Sequence, residues 1–295
     1  MSRWAAGLVL LLLGCSRPSP EAIAAREQRC EVDETYVWVE AGDYVAGSDA
    51  AERDYAYRIS AEAVGRDADS IAQAERQLRQ RGWFDDEPGQ KTASLPGFCL
   101  GKFLVTNQDY QAFVQATGHR VPGISEAEYQ EQGFLVHPYA DILPFLWRES
   151  FPEGQVNYPV VLVSYDDALA YAGWLSDRDG VAYRLPTASE WEKAARGTEG
   201  GYFPWGDEWR AEATNWGQRE GGTTPVGAFP DDGPYGTADM AGNVFEYTAT
   251  LRGGRSVMKG CSWDDLPGFC RAAYRHTRPT ASRHILFGFR LVKGG

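Results

Sequence analysis

The apolar positions of this chain group into two kinds of pattern. Tyr36-Val-Trp-Val39 is a β-branched and aromatic run that predicts a strand, and Gly42-Asp-Tyr-Val-Ala-Gly47 continues it across a turn. Phe98-Cys-Leu-Gly-Lys-Phe-Leu-Val105 is a third strand pattern. Between Ala50 and Arg81 the rhythm changes: Tyr57, Ala61, Val64, Ala68, Ile71, Ala74 and Leu78 recur at helical spacing in a background of Ala, Arg, Glu and Gln. Gly65 is placed to split that stretch into two helices. A segment of about 30 residues encloses little core of its own, so residues 50–82 predict a helical insertion packed against a larger body or over a groove. Three further helices announce their starts. Thr106-Asn-Gln-Asp109, Ser164-Tyr-Asp-Asp167 and Thr187-Ala-Ser-Glu190 each place a hydroxyl three residues before an acid, the pattern of a reciprocal cap on first-turn amides.

The N-terminal pattern is of another sort. Arg3 precedes an apolar run from Ala5 to Leu13, and Leu12-Leu-Gly-Cys15 ends it. A bilayer span needs about 20 apolar residues, which this run lacks. It reads as a lipoprotein signal peptide over 1–14, with Cys15 receiving the lipid anchor. A polar tether over 15–35 follows, and a single body over 36–295. Similarity to lipoprotein sorting in Gram-negative bacteria gives Ser16 a meaning: the expected location is the cell outer membrane.

A formal net charge of -12 with no basic tract disfavours nucleic acid or an anionic membrane surface as the principal partner. Beyond Cys15, four cysteines remain: Cys30, Cys99, Cys261 and Cys270. In an exported protein an even set predicts disulfides, and four cysteines allow three pairings. Cys261 with Cys270 would close a short loop, and Cys30 with Cys99 would tie the N-terminal extension to the body.

The last third carries the densest motifs: Asp239-Met-Ala-Gly-Asn-Val-Phe-Glu-Tyr247, Lys259-Gly-Cys-Ser-Trp263 and Gly288-Phe-Arg290. Upstream lie Val105-Thr-Asn107, Tyr183-Arg-Leu-Pro-Thr187, Glu190-Trp-Glu-Lys-Ala-Ala-Arg-Gly197, Phe203-Pro-Trp-Gly206 and Pro225-Val-Gly227. In this order they resemble the formylglycine-generating enzyme, or sulfatase-modifying factor, family. The resemblance implies an α+β fold, one large domain with a distorted C-type-lectin-like core and much irregular structure. It also implies structural calcium held by side chains and carbonyls around Asn243, Glu246, Gly242 and Val244, with a second ion near Asn215. Oxygen donors from irregular backbone suit that hard cation.

In the family's oxidases, two cysteines three and eight residues after a serine bind copper(I). Soft paired thiolates favour that metal. Here Ser262 matches the serine, Asp265 takes the first cysteine's place, and Cys270 takes the second; Cys261 replaces a glycine. If the chain is an enzyme, Cys270, Cys261, Asp265 and Ser262 are its catalytic candidates, with copper or iron. Ser262 lacks the Gly-x-Ser-x-Gly elbow of a serine hydrolase. His276 and His284 sit in a basic loop with Arg275, Arg278 and Arg283, which reads as a solvated face or as a receiver for an anionic ligand. The leading expectation is a binding or scaffold protein of the cell envelope. Trp147, Trp216, Trp263 and Phe287 are candidates for a surface that takes a protein, peptide or glycan, with Gly118 to Gly154 as a variable lid. The alternative is a metal-dependent oxidoreductase acting on a periplasmic peptide or protein.

Overall fold

The computed structural model of the protein describes residues 19–229 and 233–294. The leader and Cys15 lie outside these residues. Within the stretch read as a tether, Pro20–Glu31 forms helix α1, and its Cys30 is disulfide-bonded to Cys99. Strands β1 (Tyr36–Val39) and β2 (Gly42–Ala46) follow, as their residue patterns predict. Next come α2 (Ala50–Val64) and α3 (Ala68–Arg81), parted at Gly65. Asp67 starts α3 by accepting from the Ser70 amide at 2.8 Å. Strands β3 (Lys91–Leu95) and β4 (Phe98–Gly101) close this half. Since β2 pairs antiparallel with β3 from Gly42 opposite Leu95 to Ala46 opposite Lys91, the two helices are an excursion between paired strands.

The second half opens with α4 (Asn107–Thr117), α5 (Glu126–Gln132), α6 (Tyr139–Ile142), α7 (Tyr165–Asp179), β5 (Tyr183–Arg184) and α8 (Ala188–Arg196). Thr106, Ser164 and Thr187 form the three reciprocal caps that the sequence announces. A long irregular stretch leads to β6 (Phe245–Arg252), β7 (Arg255–Lys259), β8 (His276–Pro279), β9 (Phe287–Gly288) and β10 (Val292–Lys293). One sheet runs β1-β4-β10-β5, all antiparallel; another runs β8-β7-β6-β9, in which only β6 and β9 are parallel. Gly253 and Gly254, at φ 58° and 75°, make the tight turn between β6 and β7. Between the sheets and α4 and α7, Tyr110 stacks on Tyr171 at 5.7 Å, while Phe113 and Phe289 meet Tyr171 edge-on at 5.6 Å. Among the described residues no helix is long and apolar enough to cross a membrane.

The insertion docks on the turn Pro267–Cys270. Ser60 Oγ accepts from the Gly268 amide at 2.9 Å, and a Cβ at Gly268 would stand 2.6 Å from the Ala56 carbonyl, so only glycine permits the approach. Phe84 packs on Tyr57 at 4.7 Å and on Phe269 at 5.1 Å. Beneath the contact, Glu52 of α2 receives Arg196 Nη2 at 3.0 Å and Arg271 Nη1 at 3.1 Å. Arg271 also grips Glu87, and Glu192 bridges Arg196 at 3.3 Å and Lys259 at 3.2 Å. These three carboxylates and three cations are all buried.

Removing one partner of a buried ion pair costs about 3–5 kcal/mol, since the other charge is left uncompensated. Glu52→Ala is therefore expected to lower the urea midpoint by that equivalent with little change of slope. A midpoint equal to that of the unaltered protein would show that the network contributes nothing.

Candidate functional site

After β7 the chain turns through Gly260, whose φ is +72°, into Cys261 and Ser262. Ser262 donates its amide to Asp265 Oδ2 at 2.9 Å, and its hydroxyl donates to the same oxygen. The Asp265 amide returns a bond to the Ser262 carbonyl at 3.1 Å, closing a rigid turn. Neighbouring loops hold that turn from outside: Gln218 and Gly217 donate amides to the carbonyls of Trp263 and Asp265 at 2.7 and 3.1 Å. The Trp263 amide in turn donates to the Asn243 carbonyl at 3.0 Å. Although Asp265 keeps some accessible surface, its carboxyl group is enclosed, and desolvation lifts its pKa to about 6 against the two Ser262 donors.

Cys261 and Cys270 are joined in a disulfide, and both are wholly buried. A copper(I) site of paired thiolates does not fit here, because the sulfur that the resemblance aligns with a copper ligand is bonded to its neighbour. Among the described residues no group of three or more His, Cys, Asp and Glu side chains converges as a metal site.

The Asn243 loop is built for close approach. Asn243 adopts φ 62°, and a Cβ at Gly242 would collide with Thr214 and the Asn215 backbone. The Asn243 amide donates to the Asn215 carbonyl at 3.0 Å, and Val244 donates to the Gly242 carbonyl at 2.8 Å. Glu246 is placed differently from the expectation of a calcium ligand. Both of its oxygens accept from Arg290, at 2.6 and 2.8 Å, in a fully buried bidentate pair. As arranged, Glu246 does not fit a calcium ion. Asn215 fits better: its Oδ1 is buried without a hydrogen-bond partner, while its Nδ2 donates to the Gly222 carbonyl at 2.9 Å. The sequence reading missed Asp239, which accepts from the Gly227 amide at 2.7 Å and whose pKa desolvation raises to about 6.

Beside the Ser262 turn lies a cavity of about 470 Å³ walled by Trp263, Phe145, His137 and Gln218, among others. Trp263 and Phe145 lie nearly parallel with centroids 6.4 Å apart, and His137 packs on Trp263 at 5.3 Å. His137 Nε2 stands 3.2 Å from Asp264 Oδ2, an ion-pair contact without hydrogen-bond alignment. Asp264 holds His137 above its ordinary pKa. Burial works against ionisation of Asp264, but His137 and Gln218 outweigh it and keep the carboxyl below the usual range. His284 lies 5.9 Å from His137, ring to ring; burial pushes it down to about 3.

The stretch read as a lid thus supplies His137 and Phe145 to the cavity. Of the four aromatics proposed for a ligand surface, Trp147, Trp263 and Phe287 are all largely buried, 7%, 5% and 1% exposed, and only Trp263 borders the cavity; Trp216 packs on Trp209 with its indole donating to the Ala211 carbonyl at 2.9 Å. The basic loop is not a solvated face either. His284 is buried and Arg278 lies over the Phe134 ring, with its guanidinium carbon 3.3 Å from the ring centroid.

A family model described as a sulfatase-modifying factor enzyme 1-like domain matches residues 21–294. The chain belongs to that family. Its relatives include the inactive C-alpha-formylglycine-generating enzyme 2 of Bos taurus, 30% identical over 221 residues that span 61% of this chain and 70% of that protein. The formylglycine-generating enzyme of Mycobacterium tuberculosis is 32% identical over 211 residues, 57% of this chain and 68% of that one. The hercynine oxygenase of Mycolicibacterium smegmatis is 29% identical over 70% of this chain and 55% of its own length. Among solved structures, PvdO from Pseudomonas aeruginosa superposes with a TM-score of 0.63 at 24% identity, over 88% of this chain and 94% of its own. The family therefore spans inactive members and oxygenases on one sulfatase-modifying-factor fold.

The raised Asp265 carboxyl gives a signed test. Its folded pKa exceeds the unfolded value near 3.9, so its favourable contribution is complete below that value and lost as pH rises through about 6. Relative to Asp265→Asn, the unaltered protein should lose on the order of 2 kcal/mol between pH 4 and pH 7. Parallel pH dependences of thermal unfolding in the two proteins would refute the assignment.

Proposed function

We propose that this chain is an envelope-tethered binding module on a sulfatase-modifying-factor domain, without the copper-dependent oxidase step of formylglycine generation. The observation that carries this reading is the buried Cys261–Cys270 disulfide, which occupies the sulfur an oxidase would need free. The lipid anchor on Cys15 and the outer-membrane location belong to the same proposal. The ligand is a protein, peptide or glycan of the envelope, received at the cavity beside Trp263. An aromatic wall there gives apolar contact, and His137 and Asp264 offer a charged pair for orientation. Structural calcium, with Asn215 Oδ1 among its ligands, completes the reading.

Intact-mass alkylation and elemental analysis of the mature protein, made in an oxidising compartment, test it. The expected result is no alkylatable thiol, since the Cys15 sulfur carries the lipid and the other four cysteines are in disulfides, with calcium as the tightly held metal and a lower melting temperature after chelation. Copper or iron retained together with free Cys261 and Cys270 would instead support the alternative, a metal-dependent oxidoreductase acting on a peptide or protein. An unchanged melting temperature with chelator would remove calcium from the proposal.

A further inference from the structure

A separate cavity of about 420 Å³ lies where the end of the insertion meets the β6–β7 hairpin. Trp83, Asp86 and Glu87 wall it on one side, and Arg252, Arg255, Arg275 and His276 wall it on the other. None of these residues lines the cavity beside Trp263. The turn at Gly253 and Gly254 sets Arg252 directly opposite Arg255, so the backbone itself brings two guanidinium groups to one edge. Arg275 reaches the same space from the residue before β8.

The charge balance is unusual for a chain with a formal net charge of -12. Arg252 is paired with Asp86 at 2.8 Å. Glu87 turns its carboxylate away, onto Arg271. Arg255 donates to the Thr277 carbonyl at 3.1 Å and Arg275 to the Asp86 carbonyl; among the described residues neither has a carboxylate partner. His276 borders the cavity as well, but its ring stacks on Phe245 at 5.0 Å and its Nε2 is shut from solvent. Desolvation, reinforced by Arg278 and Arg255, pushes its pKa to about 3, so the imidazole is neutral. Gathering like charges costs energy; the charges of Asp86, Glu87 and Glu192 offset part of it at Arg275, but among the described residues no carboxylate pairs directly with Arg255 or Arg275.

We propose that this cavity binds a phosphoryl group, with Arg255 and Arg275 as the two guanidinium clamps. A planar guanidinium can present two parallel N–H bonds to phosphate oxygens, and its charge is permanent. A dianion with three or more free oxygens answers both forks together. A monocarboxylate answers one fork. Such a terminal phosphoryl group reaches an envelope protein on soluble phosphomonoesters or on phosphomonoester lipids such as phosphatidic acid, and both present the same chemistry to these residues.

Titration calorimetry of the full mature chain with inorganic pyrophosphate, alongside flotation with phosphatidic acid vesicles and phosphatidylcholine controls, tests the proposal. Binding should weaken at least about tenfold in Arg255→Gln and in Arg275→Gln, since a charged hydrogen-bond partner is lost. It should be unchanged in Arg178→Gln, a surface arginine paired with Asp179 at 2.6 Å. Should a Gln variant unfold, Arg255→Lys keeps the charge, removes the planar fork, and should also lose affinity. Pyrophosphate binding without specific flotation assigns a soluble phosphoester; flotation that Arg255→Gln abolishes assigns a headgroup. Absence of both, or binding that neither substitution weakens, overturns the proposal, and leaves the reading of the Trp263 cavity untouched.

Discussion

The fold depends on a balanced set of charges buried where the insertion meets the body. Glu52, Glu87 and Glu192 face Arg196, Arg271 and Lys259, and every one of them is shut away from water. Desolvating such groups costs several kcal/mol per ion, repaid only when each finds oriented partners. Here α2 supplies Glu52, α8 supplies Glu192 and Arg196, β7 supplies Lys259, and Arg271 follows Cys270. The arrangement is satisfied only when all these elements meet. A helical excursion of this length has little core of its own, and the network together with Tyr57, Phe84 and Phe269 gives it one by borrowing from the body.

That docking also defines the surroundings of Cys270. The turn carrying it is covered by α2 through Ser60 and Gly268, and its sulfur is bonded to Cys261. Open space lies instead to either side, next to Trp263 and next to Arg255. The position that the resemblance aligns with a copper ligand is here a closed structural joint. Two cavities flank that joint, one walled by aromatic rings and a His–Asp pair, the other by arginines facing Trp83, Asp86 and Glu87.

Local signals in the sequence served well where structure is local. The caps at Thr106, Ser164 and Thr187 and the break at Gly65 could be read directly, because each depends on residues within a turn of one another. The motifs from Asp239 to Arg290 carried the family for the same reason. Partners distant in sequence were less accessible. Glu246 looked like a ligand because the Arg290 that claims it lies far downstream. His137 and Asp264 meet across 127 residues, so no spacing rule joins them. Trp147 and Phe287 illustrate the remaining limit: an aromatic side chain suits a core or a surface equally well, and packing alone decides.

The disulfide between Cys30 and Cys99 has a mechanical meaning. A pull applied to the chain before Cys30 passes straight through the sulfur bridge to β4, which is gripped on both sides by β1 and β10. Because β4 is an inner strand, that load is borne by two ladders and not by the single ladder of an edge strand. Both insertion helices lie outside that path, in a loop between β2 and β3. The arginine-walled cavity, built partly from that loop, would keep its shape under tension that would unzip a domain secured only by its first strand.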